Sequence, residues 1–218
     1  VTDRVSQAVT WCRLLCLLGC AALSLPAGAA AAPPVHGHVA AVLDGDTIVL
    51  ASGEKVRYLG IDAPEIAHGE TPGECYGEEA RTENQRWVLH RAVTLVTGHP
   101  RHDSHGRLLA YVELQDGTCV NAELLRAGYA HVFWGNDGFE RFQEFLACQR
   151  EALEKSRGMW RECKVATEAT YVANRQSRIF HRPRCAFGCQ TAPRRRMMFA
   201  DRWQALAEGF SPCRRCAP

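Results

Sequence analysis

The run Val56-Arg57-Tyr58-Leu59-Gly60-Ile61-Asp62-Ala63-Pro64-Glu65 decides how this sequence is read. Its first part, Val56 to Ile61, is an apolar strand with one charge in it, Arg57, which must either snorkel to water or meet an anion. Asp62 and Glu65 then close the run with two carboxylates. Upstream, His38 to Leu43, the turn Asp44-Gly45, Thr47 to Leu50 and the turn Ser52-Gly53 lead into Val56, so the run is the third arm of an antiparallel meander. Downstream lie a polar loop from His68 to Gly73, a helical stretch from Glu78 to His90, and strands at Ala92 to Thr97, Leu108 to Leu114 and Thr118 to Val120. Helices follow at Asn121 to Ala127 and Phe139 to Arg157, each ended by a glycine. Short strands with a helix after the third and helices at the end predict a small closed barrel, an α+β chain that is mainly β.

Asp46, Asp62 and Glu65 fall at the ends of two predicted strands, where a meander brings distant positions together. Neighbouring acids require a cation, and with no His or Cys beside them in the sequence the donor set is all oxygen, suited to calcium or magnesium. Taken singly, each of Asp44, Asp46 and Asp62 is more often a turn residue. Arg107 follows Gly106 at a strand entrance, and with Arg57 it can clamp a phosphate through paired, charge-assisted hydrogen bonds. A metal, two guanidiniums and a spare carboxylate are the parts that in-line phosphoryl chemistry requires.

Those residues stand in four motifs that resemble the staphylococcal nuclease (thermonuclease) family in order and spacing. They are Asp44-Gly45-Asp46-Thr47, Arg57 through Glu65, Tyr76-Gly77-Glu78-Glu79-Ala80, and Asp103-Ser104-His105-Gly106-Arg107. The similarity runs from about Val35 to Trp160 and implies a five-stranded OB-type barrel with three helices. Position by position, it implies that Asp46, Asp62 and the backbone carbonyl of Ala63 coordinate calcium. It further implies that Glu65 orients or deprotonates the attacking water, and that Arg57 and Arg107 stabilise charge on the phosphoryl oxygens. The implied activity is cleavage of the bond to the 5′ oxygen in DNA and RNA, leaving 3′-phosphate ends. Ala63 stands where the family often has Thr, which a main-chain ligand tolerates. Ser104 and His105 replace a Lys and a Tyr that contact the nucleotide, and a later pair of tyrosines falls near Trp134 and Asn136. Trp134 can offer a stacking face for a base or pack in the core.

Charge and cysteine divide the chain. Residues 36–163 carry 13 basic and 20 acidic side chains, a net of −7, while residues 164–218 carry 11 and 3, a net of +8. A tail so basic suggests an anionic partner, against the alternative of a solvated face with none. Residues 1–32 read as an export signal, with Arg4 and Arg13, an apolar stretch from Leu14 to Leu25, Pro26 and the small-residue run Ala27 to Ala32. The expectation is a secreted or periplasmic protein without a membrane span when mature. A lipid-attachment box, Leu17-Leu18-Gly19-Cys20, and an uncleaved anchor are the competing readings. Of eleven cysteines, Cys75, Cys119, Cys148 and Cys163 lie in the middle and Cys185, Cys189, Cys213 and Cys216 in the tail. Four cysteines allow three pairings, and the sequence does not choose.

The expected organisation is thus a signal over 1–32, a barrel domain over 35–163, a polar linker over 164–170 and a small module over 171–218. So small a module rarely coheres by apolar burial alone. His181 with Cys185, and Cys213 with Cys216, have the spacing of a tetrahedral zinc site. Ile179 to Cys185 and Ala205 to Cys216 resemble the metal-binding module of Ada-type alkylation-repair proteins. There the first ligand is a Cys that accepts a methyl group, and His181 in its place predicts no methyl transfer. Two alternatives stay open: Cys189 replacing His181 as a ligand, or disulfides among the four tail cysteines. For the chain as a whole a calcium-dependent nuclease competes with a non-catalytic OB-fold nucleic-acid binder, and with a metal or thiol sensor centred on the tail.

Overall fold

The computed structural model describes residues 34–135 and 138–218. The export-signal reading with Cys20, and position Asn136, lie outside them. Strands β1 (Val35–Val42), β2 (Thr47–Leu50) and β3 (Lys55–Tyr58) pair antiparallel, with Val42 opposite Ile48 and Thr47 opposite Arg57. The expected strand from Val56 to Ile61 divides at Gly60, whose φ of 80° turns the chain out of the barrel. Ile61–Asp62 becomes a separate strand, β4, and carries Asp62 away from Arg57's strand and back toward its guanidinium. After α1 (Gly77–Val88), β5 (Ala92–His102) pairs with β6 (Leu108–Glu113); β6 runs parallel to β3 and β5 returns to β1. The ring β1-β2-β3-β6-β5 is closed, the five-stranded barrel expected from the sequence. Its interior is filled by the inward residues of each strand, among them Val39, Ile48, Val56, Tyr58, Leu95, Leu108 and Val112, all essentially inaccessible.

Helix α2 (Val120–Ala127), strand β7 (His131–Val132), helix α3 (Phe142–Glu154) and the single turn α4 (Met159–Glu162) complete the barrel domain. The stretch expected to form a strand at Thr118 to Val120 makes one isolated bridge, Cys119 to Glu113, and Val120 already begins α2. Helix α3 is shorter than expected at both ends. Phe139 instead joins an aromatic cluster with Trp134, Phe142 and Phe145. Gly158 does more than stop a helix: a Cβ there would meet the Gly128 carbonyl oxygen at 2.3 Å, and one on Gly128 would meet the Arg157 carbonyl oxygen at 2.3 Å. The two glycines let two backbones touch, and Met159 N–H donates to Gly128 O at 2.9 Å.

The tail folds as a four-stranded sheet of order β10-β8-β9-β11, from β8 (Tyr171–Asn174), β9 (Ile179–His181), β10 (Arg196–Phe199) and β11 (Ser211–Pro212). Two short helices, α5 (Ala186–Cys189) and α6 (Arg202–Ala207), accompany it. Its apolar residues Tyr171, Phe180, Phe199, Leu206 and Phe210 join Ala152, Met159 and Trp160 in one core. The small module thereby gains from the barrel's helices the burial it lacks alone. Residues Ala32–Pro218 form one unit. Cys75 and Cys163 are bridged, a choice of pairing the sequence left open, while Cys119 and Cys148 are free. Closing 88 residues contributes about 4 to 5 kcal/mol by the chain-entropy argument. Among the described residues, no helix is long and apolar enough to cross a membrane.

Candidate functional site

Asp46 sits on the tight turn between β1 and β2. Its amide donates to Asp44 Oδ1 at 2.9 Å, and the Asp44 carbonyl is fixed by Asn84 Nδ2 at 3.1 Å, with Tyr58 OH donating to Asn84 Oδ1 at 2.8 Å. Gly45 permits this packing, because a Cβ there would lie 2.5 Å from that of Ala63 and 2.8 Å from that of Ala80. The Asp46 carboxylate accepts the Ala63 N–H at 2.6 Å and a hydrogen bond from Thr47 at 3.2 Å. Arg57 bridges the two buried acids, reaching Asp46 Oδ2 at 3.0 Å and Asp62 Oδ1 at 2.7 Å, and also donates to the carbonyls of Tyr58 and Ile61. The charge in the apolar strand has therefore met anions supplied by the protein itself.

Burial pushes the Asp46 carboxyl up, to about 8, against the lowering pull of Arg57. Asp62 is equally buried, but His131, Arg57 and Arg214 together outweigh that burial and hold its pKa below the ordinary value. Glu65 lies nearer solvent, its amide donating to Glu74 Oε2 at 3.0 Å. Arg107 is oriented by Asp103, which accepts from Arg107 Nε at 2.7 Å and from the amides of His105 and Arg107. A cleft of about 1310 Å³ brings together Asp46, Arg57, Asp62, Glu65 and Arg107, and Ser104, His105 and Trp134 line it as well. Trp134 is only partly available: Phe142 meets it edge-on at 4.8 Å, and the Arg178 guanidinium lies 4.9 Å from its ring.

Asp46 and Asp62, the first forced toward protonation by burial, offer carboxylate oxygens of the kind a hard divalent cation takes. Asp46, Asp62 and the Ala63 carbonyl are the residues that would hold it. Two neighbours of this set were not anticipated as site residues. His131 Nε2 stands 3.7 Å from Asp62 Oδ2, on the strand that pairs with β4, and burial lowers its pKa. Arg214 arrives from the C-terminal module, with Nη2 2.5 Å from Asp62 Oδ1, Nε 3.2 Å from Oδ2 and Nη1 2.7 Å from Glu65 Oε1. No local pattern announces either residue, since each is brought in by tertiary pairing.

The tail holds a second cluster. Ligand atoms of His181, Cys185, Cys213 and Cys216 all lie within 4.8 Å of one another. Cys189 lies outside it, exposed, with its thiol near the Pro183 carbonyl. Burial lowers the His181 pKa, favouring the neutral ring that ligation requires. Burial and the neighbouring sulfurs push Cys216 up to about 12, a repulsion that a bound cation relieves. The Arg182 amide donates to Cys216 Sγ at 3.3 Å.

Two family models match the chain. The model of the Staphylococcal nuclease homologue family matches residues 55–162, and that of the metal binding domain of Ada matches residues 158–218. An uncharacterized protein of Methanocaldococcus jannaschii, MJ1439, is 35% identical over 149 residues, covering 57% of this chain and 71% of its own. Thermonuclease of Staphylococcus intermedius is 33% identical over 124 residues, 55% of this chain and 72% of its own. Endonuclease YhcR of Bacillus subtilis is 35% identical over 152 residues, 63% of this chain but 12% of that longer protein. On the barrel, the convergent carboxylates and these relationships together, the chain belongs to the staphylococcal nuclease homologue family and carries a C-terminal Ada-type metal-binding domain.

Proposed function

We propose that the protein is a secreted, calcium-dependent endonuclease that hydrolyses phosphodiester bonds of DNA and RNA, leaving 3′-phosphate ends. The observation that carries this reading is the convergence of Asp46, Asp62 and Glu65 with Arg57 and Arg107 on one cleft. The name thermonuclease borne by one relative and endonuclease borne by another support it. Calcium, when bound, supplies Lewis-acid polarisation of the phosphoryl group. Asp46, Asp62 and the Ala63 carbonyl would hold the ion, with Arg57 fixing the two carboxylates relative to each other. Glu65, the acid nearer solvent, takes a proton from water as its oxygen bonds to phosphorus. Arg57 and Arg107 stabilise the charge that grows on the phosphoryl oxygens, and the 5′ oxygen leaves and takes a proton from solvent water. Ser104, His105 and Trp134, on the same cleft, contact the neighbouring nucleotides.

The C-terminal module binds zinc through His181, Cys185, Cys213 and Cys216, a reading supported by the cluster and by the Ada-type match. Arg184, Arg194, Arg195 and Arg215 are exposed and hold the polyanion near the acidic barrel, so affinity falls as salt rises. Export is supported by the character of residues 1–32 and by the Cys75–Cys163 bridge, which suits an oxidising compartment. End-group analysis tests the chemistry: digests should carry 5′-hydroxyl ends that a polynucleotide kinase labels without prior phosphatase. Ends that require phosphatase would overturn the assigned bond.

A further inference from the structure

The basic character of the tail accounts for general attraction to nucleic acid, yet one of its arginines reaches the reacting centre itself. Arg214 lies 152 residues from Asp62 in sequence and binds both oxygens of that carboxylate, with its remaining terminal nitrogen on Glu65. The barrel and the module are bolted together immediately beside this contact. Ser211 Oγ donates to the Val132 carbonyl at 2.8 Å in a buried bond, and Val132 belongs to β7, the partner of β4, on which Asp62 sits. Gln149, fully buried, accepts from the Val132 N–H at 2.6 Å and donates to the Leu206 carbonyl at 2.6 Å. From Ser211 only Pro212 and Cys213 intervene before Arg214, and Cys213 and Cys216 on either side belong to the tail's ligand cluster. The position of Arg214 is therefore set twice, by the buried dock and by the cysteine knuckle.

We propose that Arg214 is a third phosphate-binding guanidinium of the nuclease site, delivered by the C-terminal module, so that the catalytic centre is completed only by the second domain. The charges support this role. Fully ionised, Asp46, Asp62 and Glu65 carry three negative charges, and Arg57 and Arg214 offset two. A divalent cation among the carboxylates turns the remaining deficit into one excess positive charge, which a phosphodiester monoanion neutralises. A cation on Asp62 would compete with Arg214 for that carboxylate, and a phosphoryl oxygen would then be the anion its guanidinium nitrogens can reach. The side chain is about half exposed (54%), so it can turn from carboxylate to phosphate without repacking the core. Arg57 lies on β3 and Arg107 immediately precedes β6, the strand paired with β3, whereas Arg214 comes from the C-terminal module, and all three line the cleft. Guanidinium groups from two domains can follow a phosphoryl group whose oxygens splay apart in the transition state.

This inference rests on the nuclease reading, and the test separates the two. The full-length chain is compared with Arg214→Ala, Arg214→Lys and the distant surface variant Arg86→Ala. Turnover of single-stranded DNA is measured in saturating calcium, calcium binding without nucleic acid by calorimetry, and oligothymidylate affinity with calcium in a Glu65→Gln background. Arg214→Ala should lower kcat/KM about 100-fold and oligothymidylate affinity about tenfold, with a folded circular-dichroism spectrum, while binding calcium alone more tightly. Lysine should restore part of the loss, since it returns the charge without the fork. Arg86→Ala should change nothing. Equal turnover and affinity in Arg214→Ala overturn the proposal, as does faster turnover, which would make the arginine a plug on the metal site. If the wild-type chain cuts nothing, the nuclease reading falls, and the affinity arm alone decides whether Arg214 binds phosphate.

Discussion

Gln149 allows the sharpest energetic test of how the two domains are joined. It occupies an inward position of α3, in step with Phe142, Phe145, Leu146 and Ala152, and is completely buried. Both ends of its amide are used, accepting from Val132 N–H and donating to the Leu206 carbonyl, each at 2.6 Å. Leucine has nearly the same shape, so Gln149→Leu leaves no cavity and isolates the polar contribution. The Val132 amide loses its partner in a dry interior, at a cost of about 1 to 3 kcal/mol. The Leu206 carbonyl keeps the Gly209 N–H at 2.9 Å, so its loss adds only about 0.5 to 1 kcal/mol. The expected destabilisation is about 1.5 to 4 kcal/mol, which for a chain of this size lowers the melting midpoint by about 3 to 16 °C. Gln149→Glu keeps the acceptor and sets an anionic oxygen against the Leu206 carbonyl. It should therefore be worse than leucine at neutral pH and recover as acid protonates the carboxyl, because burial raises its folded pKa above the unfolded one. Chemical and thermal denaturation followed by circular dichroism measure both. A midpoint shift under about 2 °C for Gln149→Leu would refute the reasoning, since the amide would then contribute no more than the apolar shape it fills.

Three further expectations follow from the sites. Glu65→Gln should lower kcat by about 10² to 10⁴-fold while leaving stability unchanged, because the side chain is partly exposed and serves no core contact; single-turnover kinetics and a melting curve check both halves. The Asp46 carboxyl, held at about 8 by burial despite Arg57, must give up its proton to a metal, so calcium affinity should rise by up to about tenfold per pH unit from about 6 to 8 and then level. Without metal the sign reverses. Between the ordinary value of 3.8 and about 8 the folded chain binds more protons than the unfolded one, so stability falls as pH rises through that window, and Asp46→Asn should abolish the decline. Metal analysis of the purified chain should find one zinc per molecule, lost in Cys213→Ser together with several degrees of thermal stability, whereas Cys189→Ser should retain it.

Much of the barrel was legible because its local signals agree: Asp44-Gly45 and Ser52-Gly53 mark turns, and the β-rich runs before, between and after them form β1, β2 and β3. The acids and arginines of the site were legible for the same reason, as they sit at strand ends that the meander gathers. What the sequence concealed is long-range. Gly60 reads as an ordinary strand residue, yet its positive φ sends Ile61–Asp62 out to pair with His131–Val132, and that pairing brings in the His131 ring. Gln149 in the apolar stripe of α3 was a usable signal, since a polar residue at a buried helical position demands partners from elsewhere. Arg214 carried no such mark. It stands among ten arginines of a basic tail, and only the docking of Ser211 on Val132 distinguishes it from its neighbour Arg215.

The central claim is that a divalent ion held by Asp46 and Asp62 shares a scissile phosphate with guanidinium groups on the cleft. Its most direct measurement is digestion of supercoiled plasmid and of RNA by the purified chain in millimolar calcium and in excess chelator. Both polymers should be cut in calcium and spared in chelator, with Asp62→Asn inert in either. Intact polymers in calcium, or equal cutting in chelator, would contradict it.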